Sequence, residues 1–232
     1  MKKAFIHDDS LHQSNLFIGI GHLDRTAILN QGDRIHSRPG QILFSQGDPA
    51  NRCLLVLKGR LKLTILHEQG KEAVIRYIGP GQLTAAVAVF KGKDYPVTAK
   101  SVGTTEVVAW SRPVMVKLML AYPQLVINML KVAIDRLDDV QTRYLEMSAE
   151  QVEQRIARAI LRIMRDTGRK TGDGILIDFP ISRQELADYT GTTLYTVSRT
   201  LSAWSRKGWI KSGREQITVT DPHALVAFSE TG

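Results

Sequence analysis

The chain has 232 residues, 43% of them hydrophobic, enough for two small domains with sizeable cores and too apolar for a disordered chain. A net charge of +8 and a pI of about 9.7 favour a polyanionic partner, nucleic acid before membrane. A single cysteine, Cys53, excludes a disulfide framework and any multi-cysteine metal or iron–sulfur site within one chain.

The N-terminus, MKKAFIHDDS, has no apolar segment after its lysines, and no apolar run in the chain reaches the ~18 residues of a membrane helix. A cytoplasmic protein with no membrane partner is therefore expected. Residues 1–20 carry little pattern and read as an arm. Residues 22–30, HLDRTAILN, read as a short helix. From Gly32 to about Trp110, apolar pieces of four to seven residues alternate with turn signals such as Arg38-Pro39-Gly40, Gln46-Gly47-Asp48, Lys58-Gly59, Glu68-Gln69-Gly70 and Gly79-Pro80-Gly81. The pieces QILF, CLLVL, RLKLTIL, AVIRYI, VTAKSV and EVVAW are short, and several are β-branched. Short strands at near-regular spacing predict an antiparallel sandwich or barrel. The piece TAAVAVF, 84–90, fits a strand or a short helix equally.

After Trp110 the period changes. Ser111-Arg112-Pro113 can start a short helix, and a long helical run follows Pro123. Ile127, Leu130, Ile134, Leu137, Gln141 and Tyr144 alternate at spacings of three and four, an a/d seam. The seam has two readings, packing on the chain's own β-domain or a parallel two-chain coiled coil. The flanking charges Lys131, Asp135, Arg136, Asp138 and Asp139 fit either. Ser148-Ala149-Glu150-Gln151 is a capping-box pattern, which predicts a new helix burying Val152, Ile156, Ile160 and Ile163 and ending near Thr167-Gly168. A basic turn, GRKTGDG, then leads to a strand, ILIDF.

The stretch ISRQELADYTGTTLYTVSRTLSAWSRKGW, 181–209, is the most informative. Ser182-Arg183-Gln184-Glu185 is a capping box opening a helix that buries Leu186. Ala187 is small where a second helix must cross, and Gly191 sits in the turn. The second helix is expected to bury Leu194, Val197, Leu201 and Trp204. Two such helices with a short glycine turn make a helix-turn-helix. A turn at Ser212-Gly213 between Trp209-Ile210 and QITVT predicts a wing. Asp221-Pro222 caps a last helix, HALVAF. With the apolar side buried, Tyr195, Thr196, Ser198, Arg199 and Ser202 face outward. Arg199 can donate a bidentate pair to a guanine, and Thr192, Thr193 and the helix N-terminus suit a phosphate. Ser182 and Arg183 lie at the neighbouring helix start and join the expected double-stranded DNA contacts. No GxSxG, HExxH or P-loop pattern appears, so no catalytic or metal-ligating set is expected and an enzyme is not.

The whole chain resembles the Crp/Fnr family of bacterial transcription regulators. The resemblance is carried by Pro39-Gly40-Gln41-Ile42-Leu43-Phe44 with Gln46-Gly47-Asp48, by Leu54–Gly59-Arg60-Leu61, by Gly81-Gln82-Leu83, by the seam helix and by Ser182–Trp204. It implies an α+β architecture with an N-terminal cyclic-nucleotide-binding-like antiparallel β-roll, a long dimerisation helix and a C-terminal winged helix-turn-helix. The implied boundaries are 1–20 arm, 21–122 sensing domain, 123–146 dimer helix and 147–232 DNA-binding domain. It further implies a homodimer on an inverted-repeat site, a small-molecule or gas effector, and RNA polymerase as a partner. Cyclic-nucleotide sensors of the family carry a Gly-Glu-Leu turn and an Arg-Ser pair. Here the turn is Gly81-Gln82-Leu83 and the later site reads Lys93-Asp94-Tyr95-Pro96, so the effector residues suggested are Gln82, Lys93, Tyr95 and Thr98. GTTLYTVSRTLSAW and the wing SGREQITVTDPHALV look most like the nitrite and nitric-oxide reductase regulators (NnrR-type), which control denitrification genes in response to nitric oxide. The alternative is a Crp-like metabolic regulator with another small-molecule effector or a cyclic nucleotide. Haem could sense nitric oxide through an axial residue. The axial candidates are His22, His36, His67 and Cys53.

Overall fold

A computed structural model describes residues 11, 14–66, 70 and 72–230 and divides the chain into two units, 1–138 and 139–232. In the first unit, α1 (His22–Asn30) precedes β1 (Asp33–Ser37), β2 (Ile42–Phe44), β3 (Arg52–Lys58), β4 (Leu61–Leu66), β5 (Glu72–Ile78) and β6 (Leu83–Thr84). The ambiguous piece resolves as a helix, α2 (Ala86–Lys91), and β7 (Thr98–Ser101) and β8 (Thr105–Ser111) complete the strands. Two antiparallel sheets form, in the orders β1-β8-β3-β6 and β2-β7-β4-β5. His67 and the turn at Glu68-Gln69 lie outside the described residues.

The middle strand shows why the sequence folds this way. β3 is apolar at five consecutive positions and all five are buried, because both faces of its sheet are covered. Leu54 and Val56 join Phe44, Leu61, Ile78, Ala99 and Val107 in a core drawn from both sheets. Cys53, Leu55 and Leu57 point the other way, into a second core with Ile28, Trp110, Met115, Leu118 and Leu125. That core belongs to the helices, α1 and α3 (Arg112–Ala121), and Trp110 ties it by donating its indole N–H to the Ile28 carbonyl at 3.0 Å.

A long helix, α4 (Pro123–Ala149), follows. One of its faces is committed. Leu125 and Asn128 are fully buried, and the Asn128 amide donates to the carbonyls of Leu16 and Ile18 at 2.9 and 2.8 Å. The seam face is open, with Ile127, Leu130, Ile134, Leu137 and Tyr144 between 48% and 70% exposed and Gln141 exposed as well. For Ile127, Leu130, Ile134 and Leu137, the reading in which the seam packs on the chain's own β-domain is thereby corrected.

The second unit contains α5 (Val152–Thr167), β9 (Gly168–Thr171), β10 (Gly174–Ile177), α6 (Arg183–Thr190), α7 (Leu194–Arg206), β11 (Ile210–Gly213), β12 (Gln216–Val219) and α8 (Pro222–Glu230). Its sheet runs β11-β12-β10-β9, so the stretch expected as a basic turn is itself a hairpin strand. Three local expectations are corrected. Ser148 does not cap α5; it remains in α4, where its hydroxyl donates to the Tyr144 carbonyl, and the capping box is Gln151 with Gln154. The two patterns sit three residues apart and local sequence could not rank them. The wing turns at Arg214-Glu215, because Gly213 still pairs with Gln216. Val152 is only partly buried, whereas Ile156, Ile160 and Ile163 are buried as expected. Among the described residues no single helix is long and apolar enough to cross a membrane.

Candidate nucleic-acid interface

The capping box predicted at Ser182 forms. The Glu185 amide donates to the Ser182 hydroxyl at 3.1 Å, and the Ser182 amide donates to the Glu185 carboxylate at 2.8 Å. α6 ends at Gly191, whose φ of +64° is a left-handed conformation that a side chain disfavours, and a Cβ there would stand 3.3 Å from the Met147 methyl. The chain then enters α7 through Thr193, whose hydroxyl accepts from the Thr196 amide at 3.2 Å.

α7 is fixed by Val197, Leu201 and Trp204, all buried. Trp204 meets Phe228 edge-on at 5.6 Å and Trp209 at 6.3 Å, so one aromatic cluster joins α7 to the wing and α8. Leu194 corrects the expected buried stripe. It is 46% exposed, because it is the first residue of α7 and the buried face begins only at Val197.

The opposite side holds the expected readers. Tyr195, Arg199 and Ser202 fall at i, i+4 and i+7, on one face, and all three are exposed. Ser198 is half-buried beside them, and Thr196 is half-buried on the flank next to the buried Thr200. Thr193 is exposed but its hydroxyl already caps α7, and the Thr192 amide is spent on the Ala187 carbonyl at 2.9 Å. Arg183 lies half-buried at the start of α6. A pattern of hydroxyls, one phenol and one guanidinium on a rigid helix can donate to base edges and phosphates.

The unit also contains residues that sequence reasoning missed. The Arg199 guanidinium bonds the Glu153 carboxylate of α5 at 3.1 Å. Arg155 donates to the Thr190 carbonyl at 3.3 Å, and Arg143 stacks over the Tyr189 ring at 4.3 Å and donates to its carbonyl at 3.1 Å. Arg162 pairs with the nearly buried Glu146. Burial alone would lower the Arg162 pKa; the hydrogen bond and charge of Glu146, helped by Tyr189, outweigh it and raise it above the ordinary value. These arginines fasten α5 to α6 and to the end of α4. Glu153 had one local signal, an acid in the first helical turn, but nothing local links it to a residue 46 positions away.

In the β-roll, the four suggested effector residues have separate employments. The Gln82 side-chain oxygen accepts from the Gly79 amide at 2.9 Å. Tyr95 is a core residue, stacked on Phe44 with centroids 4.0 Å apart, its hydroxyl donating to the Arg52 carbonyl at 2.8 Å. The Thr98 hydroxyl accepts from the Gln46 amide at 3.0 Å. Lys93 lines an open cavity of about 420 Å³ with Asn51, Asp94 and Arg112, which the other three do not line.

Three of the four axial candidates, Cys53, His22 and His36, lie among the described residues, and none of them is placed to hold a haem. Cys53 is fully buried, its thiol facing the Trp110 carbonyl at 3.6 Å, and burial pushes it up to about 12. His22 and His36 are exposed on α1 and β1 and neither lines that cavity. Among the described residues no three His, Cys, Asp or Glu side chains gather to hold a metal ion.

Two family models match the chain, a cyclic nucleotide-binding domain over residues 34–122 and a Crp-like helix-turn-helix domain over residues 154–228. The chain is a DNA-binding regulator of the Crp/Fnr family. This Crp/Fnr regulator is 29% identical to the cyclic AMP receptor protein of Thermus thermophilus, over 93% of this chain and 97% of that one. It is 29% identical to the global nitrogen regulator of Synechococcus elongatus, over 80% and 85%. Its fold matches FixK2 from Bradyrhizobium japonicum with a TM-score of 0.75 at 21% identity, over 87% of this chain and 98% of that one. The match to the Crp-like helix-turn-helix domain includes the α6–α7 pair.

Proposed function

We propose that the chain acts as a homodimer that reads an inverted-repeat operator and controls nitrite and nitric-oxide reductase genes in response to nitric oxide. The observation that carries the DNA half is the row Tyr195, Arg199 and Ser202, exposed on a helix whose other side is locked into a core. Arg199 reads a guanine in each half-site, and Tyr195 is the second reader. Leu194, exposed at the same end of the helix, suits a thymine methyl. Ser198, Thr196 and Ser202 border these readers, while Thr192, Thr193, Ser182 and Arg183 suit phosphates. The exposed seam of α4 supports pairing through Ile127, Leu130, Ile134, Leu137, Gln141 and Tyr144. Two-fold pairing requires half-sites about one helical turn apart. The working division is an arm (1–20), a sensing unit (21–122), a dimer helix (123–146) and a DNA-binding unit (147–232), with RNA polymerase the protein it recruits or blocks.

The signal rests on the similarity of Gly191–Trp204 to the NnrR-type regulators. A relative bears the name cyclic AMP receptor protein, and a cyclic nucleotide is the second reading. Against it, Gln82 stands in place of the family's glutamate and spends its oxygen on its own turn. Tyr95 occupies, as a packed core residue, the region where an arginine would be needed. A cyclic phosphate without a charged fork loses its main bonds and meets Asp94.

The deciding experiment selects bound duplexes from a random pool and then measures each base of the winner. Arg199→Ala should cost about 1–3 kcal/mol per half-site at one guanine and flatten preference there. Uniform weakening on every sequence would make Arg199 a phosphate contact. A reporter carrying the selected operator should answer a nitric-oxide donor only when the protein is present, and calorimetry with cyclic AMP should show no specific heat. Micromolar cyclic AMP binding with a silent donor response would favour the second reading.

A further inference from the structure

We propose that Glu153 is a positioning residue for Arg199, holding the guanidinium in the pose that reads a base and away from the phosphates. The proposal rests on the reading of Arg199 given above. Glu153 lies in the first turn of α5, where the positive end of the helix dipole favours a carboxylate. Its platform is rigid. Arg155 bonds α5 to the Thr190 carbonyl at the end of α6, and Arg158 bonds Glu150 at 3.0 Å and the Ser229 carbonyl at 2.9 Å.

The contact is a single one, from Arg199 Nη2 to Glu153 Oε1. A guanidinium has five N–H donors in a fixed fork, so one bond to a carboxylate leaves four. Nη2 keeps one hydrogen and Nη1 keeps two, so a pair remains for guanine O6 and N7. The carboxylate can therefore stay in place while the base is read.

As a folding contact the pair is worth little, since the Arg199 side chain is 61% exposed and the Glu153 side chain 34% exposed. Its consequence lies in where the guanidinium stands when DNA arrives. An unheld arginine samples many rotamers and can settle on the nearest phosphate. A carboxylate at this point also repels phosphates, which lowers affinity for any duplex regardless of sequence. Glu153 thus acts twice in the same direction, raising the ratio of specific to non-specific binding.

The test uses the full chain, with fluorescence anisotropy on the selected operator, on the operator with the Arg199 guanine replaced, and on a random duplex. In E153A, discrimination at that base should fall about tenfold, while affinity for the random duplex holds or rises. E153Q keeps an acceptor oxygen and should keep most of the discrimination. R199A should lose roughly 5- to 150-fold, the range of one bidentate base contact. E153L, which fills the volume without an acceptor, replaces E153A if that variant does not fold. A protein carrying E153A or E153L that discriminates like wild type, beside an R199A that does not, overturns the positioning role alone. An R199A that discriminates like wild type overturns the base-reading itself, and the proposal with it.

Discussion

In the β-roll, Gln82, Tyr95 and Thr98 hold Gly79, Arg52 and Gln46, all main-chain partners in their own unit. In the winged unit, Tyr195 and Ser202 stand exposed on a helix that does not need them for its core. The same residue types, phenol and hydroxyl, are spent on folding in one unit and held out to solvent in the other. For Tyr95, which is buried, burial decides. A buried polar atom must be satisfied inside the protein, so its bonding capacity is used before any ligand arrives. An exposed one exchanges water for a partner at little cost.

The seam of α4 gives the largest test of that contrast, because it is the most apolar of the uncommitted surfaces. Changing both Ile134 and Leu137 to glutamate removes four branched side chains from the two-chain seam, at roughly 1.5–3 kcal/mol each. The variant should sediment as a monomer and lose operator binding, while its monomer unfolds as a wild-type monomer would. An unchanged dimer in the ultracentrifuge would reject this seam.

The two tyrosines make the next comparison. Tyr95→Ala empties a stacked, buried site and should destabilise the β-roll by about 3–5 kcal/mol in a denaturant titration. Tyr195→Ala lies on an exposed face and should change stability by less than about 0.5 kcal/mol while weakening operator binding. If Tyr95→Ala is as mild as Tyr195→Ala, the β-roll interior is not the packed core described.

What could be read from the chain without its coordinates divides along similar lines. The Ser182–Glu185 box, Gly191 and Asp221 act within four residues, and all three do what local chemistry predicts. The antiparallel strands are also local, as turn residues set their ends. Leu194 misled because helical period predicts a side and not how far along it the cover extends. Tyr95 misled because an aromatic in a predicted pocket looks the same as one filling it. Asn128 and Glu153 were invisible, since each acts on a residue more than 40 positions away. Residue type and spacing thus placed the exposed row Tyr195, Arg199 and Ser202 on α7, whereas the bonds of Gln82, Tyr95 and Thr98 are contacts that only folding brings together.

Cys53 sharpens the picture of the committed side through pH. Burial pushes its thiol pKa up to about 12, well above the ordinary thiol value. The native state therefore keeps a proton that the unfolded chain gives up first. Stability from this group is complete below about pH 9 and falls as pH rises towards 12, by about 1.4 kcal/mol per pH unit. Cys53→Ala should flatten that part of the alkaline limb relative to wild type. In the native protein the thiol should also resist alkylation at neutral pH and react once denaturant is added. Rapid native labelling would show that the strand opens.

The smallest effect is expected at Thr200, inside α7 itself. It is 4% exposed, on the buried side between Val197 and Leu201, and its hydroxyl is buried without a hydrogen-bond partner among the described residues. An unmatched buried hydroxyl costs about 1–3 kcal/mol. Valine keeps the branched shape and removes the polar atom, with helix propensity about the same. Thr200→Val should therefore raise the stability of the winged unit by about 1 kcal/mol. It faces away from Tyr195 and Arg199, so operator affinity and base preference should not change. Thermal unfolding and anisotropy on the same preparation separate the two effects. A stabilised protein with unaltered base preference is what a helix divided into a folding side and a reading side requires. A variant that gains stability but changes its preferred bases would show that the packing under α7 also sets the pose of its outer face.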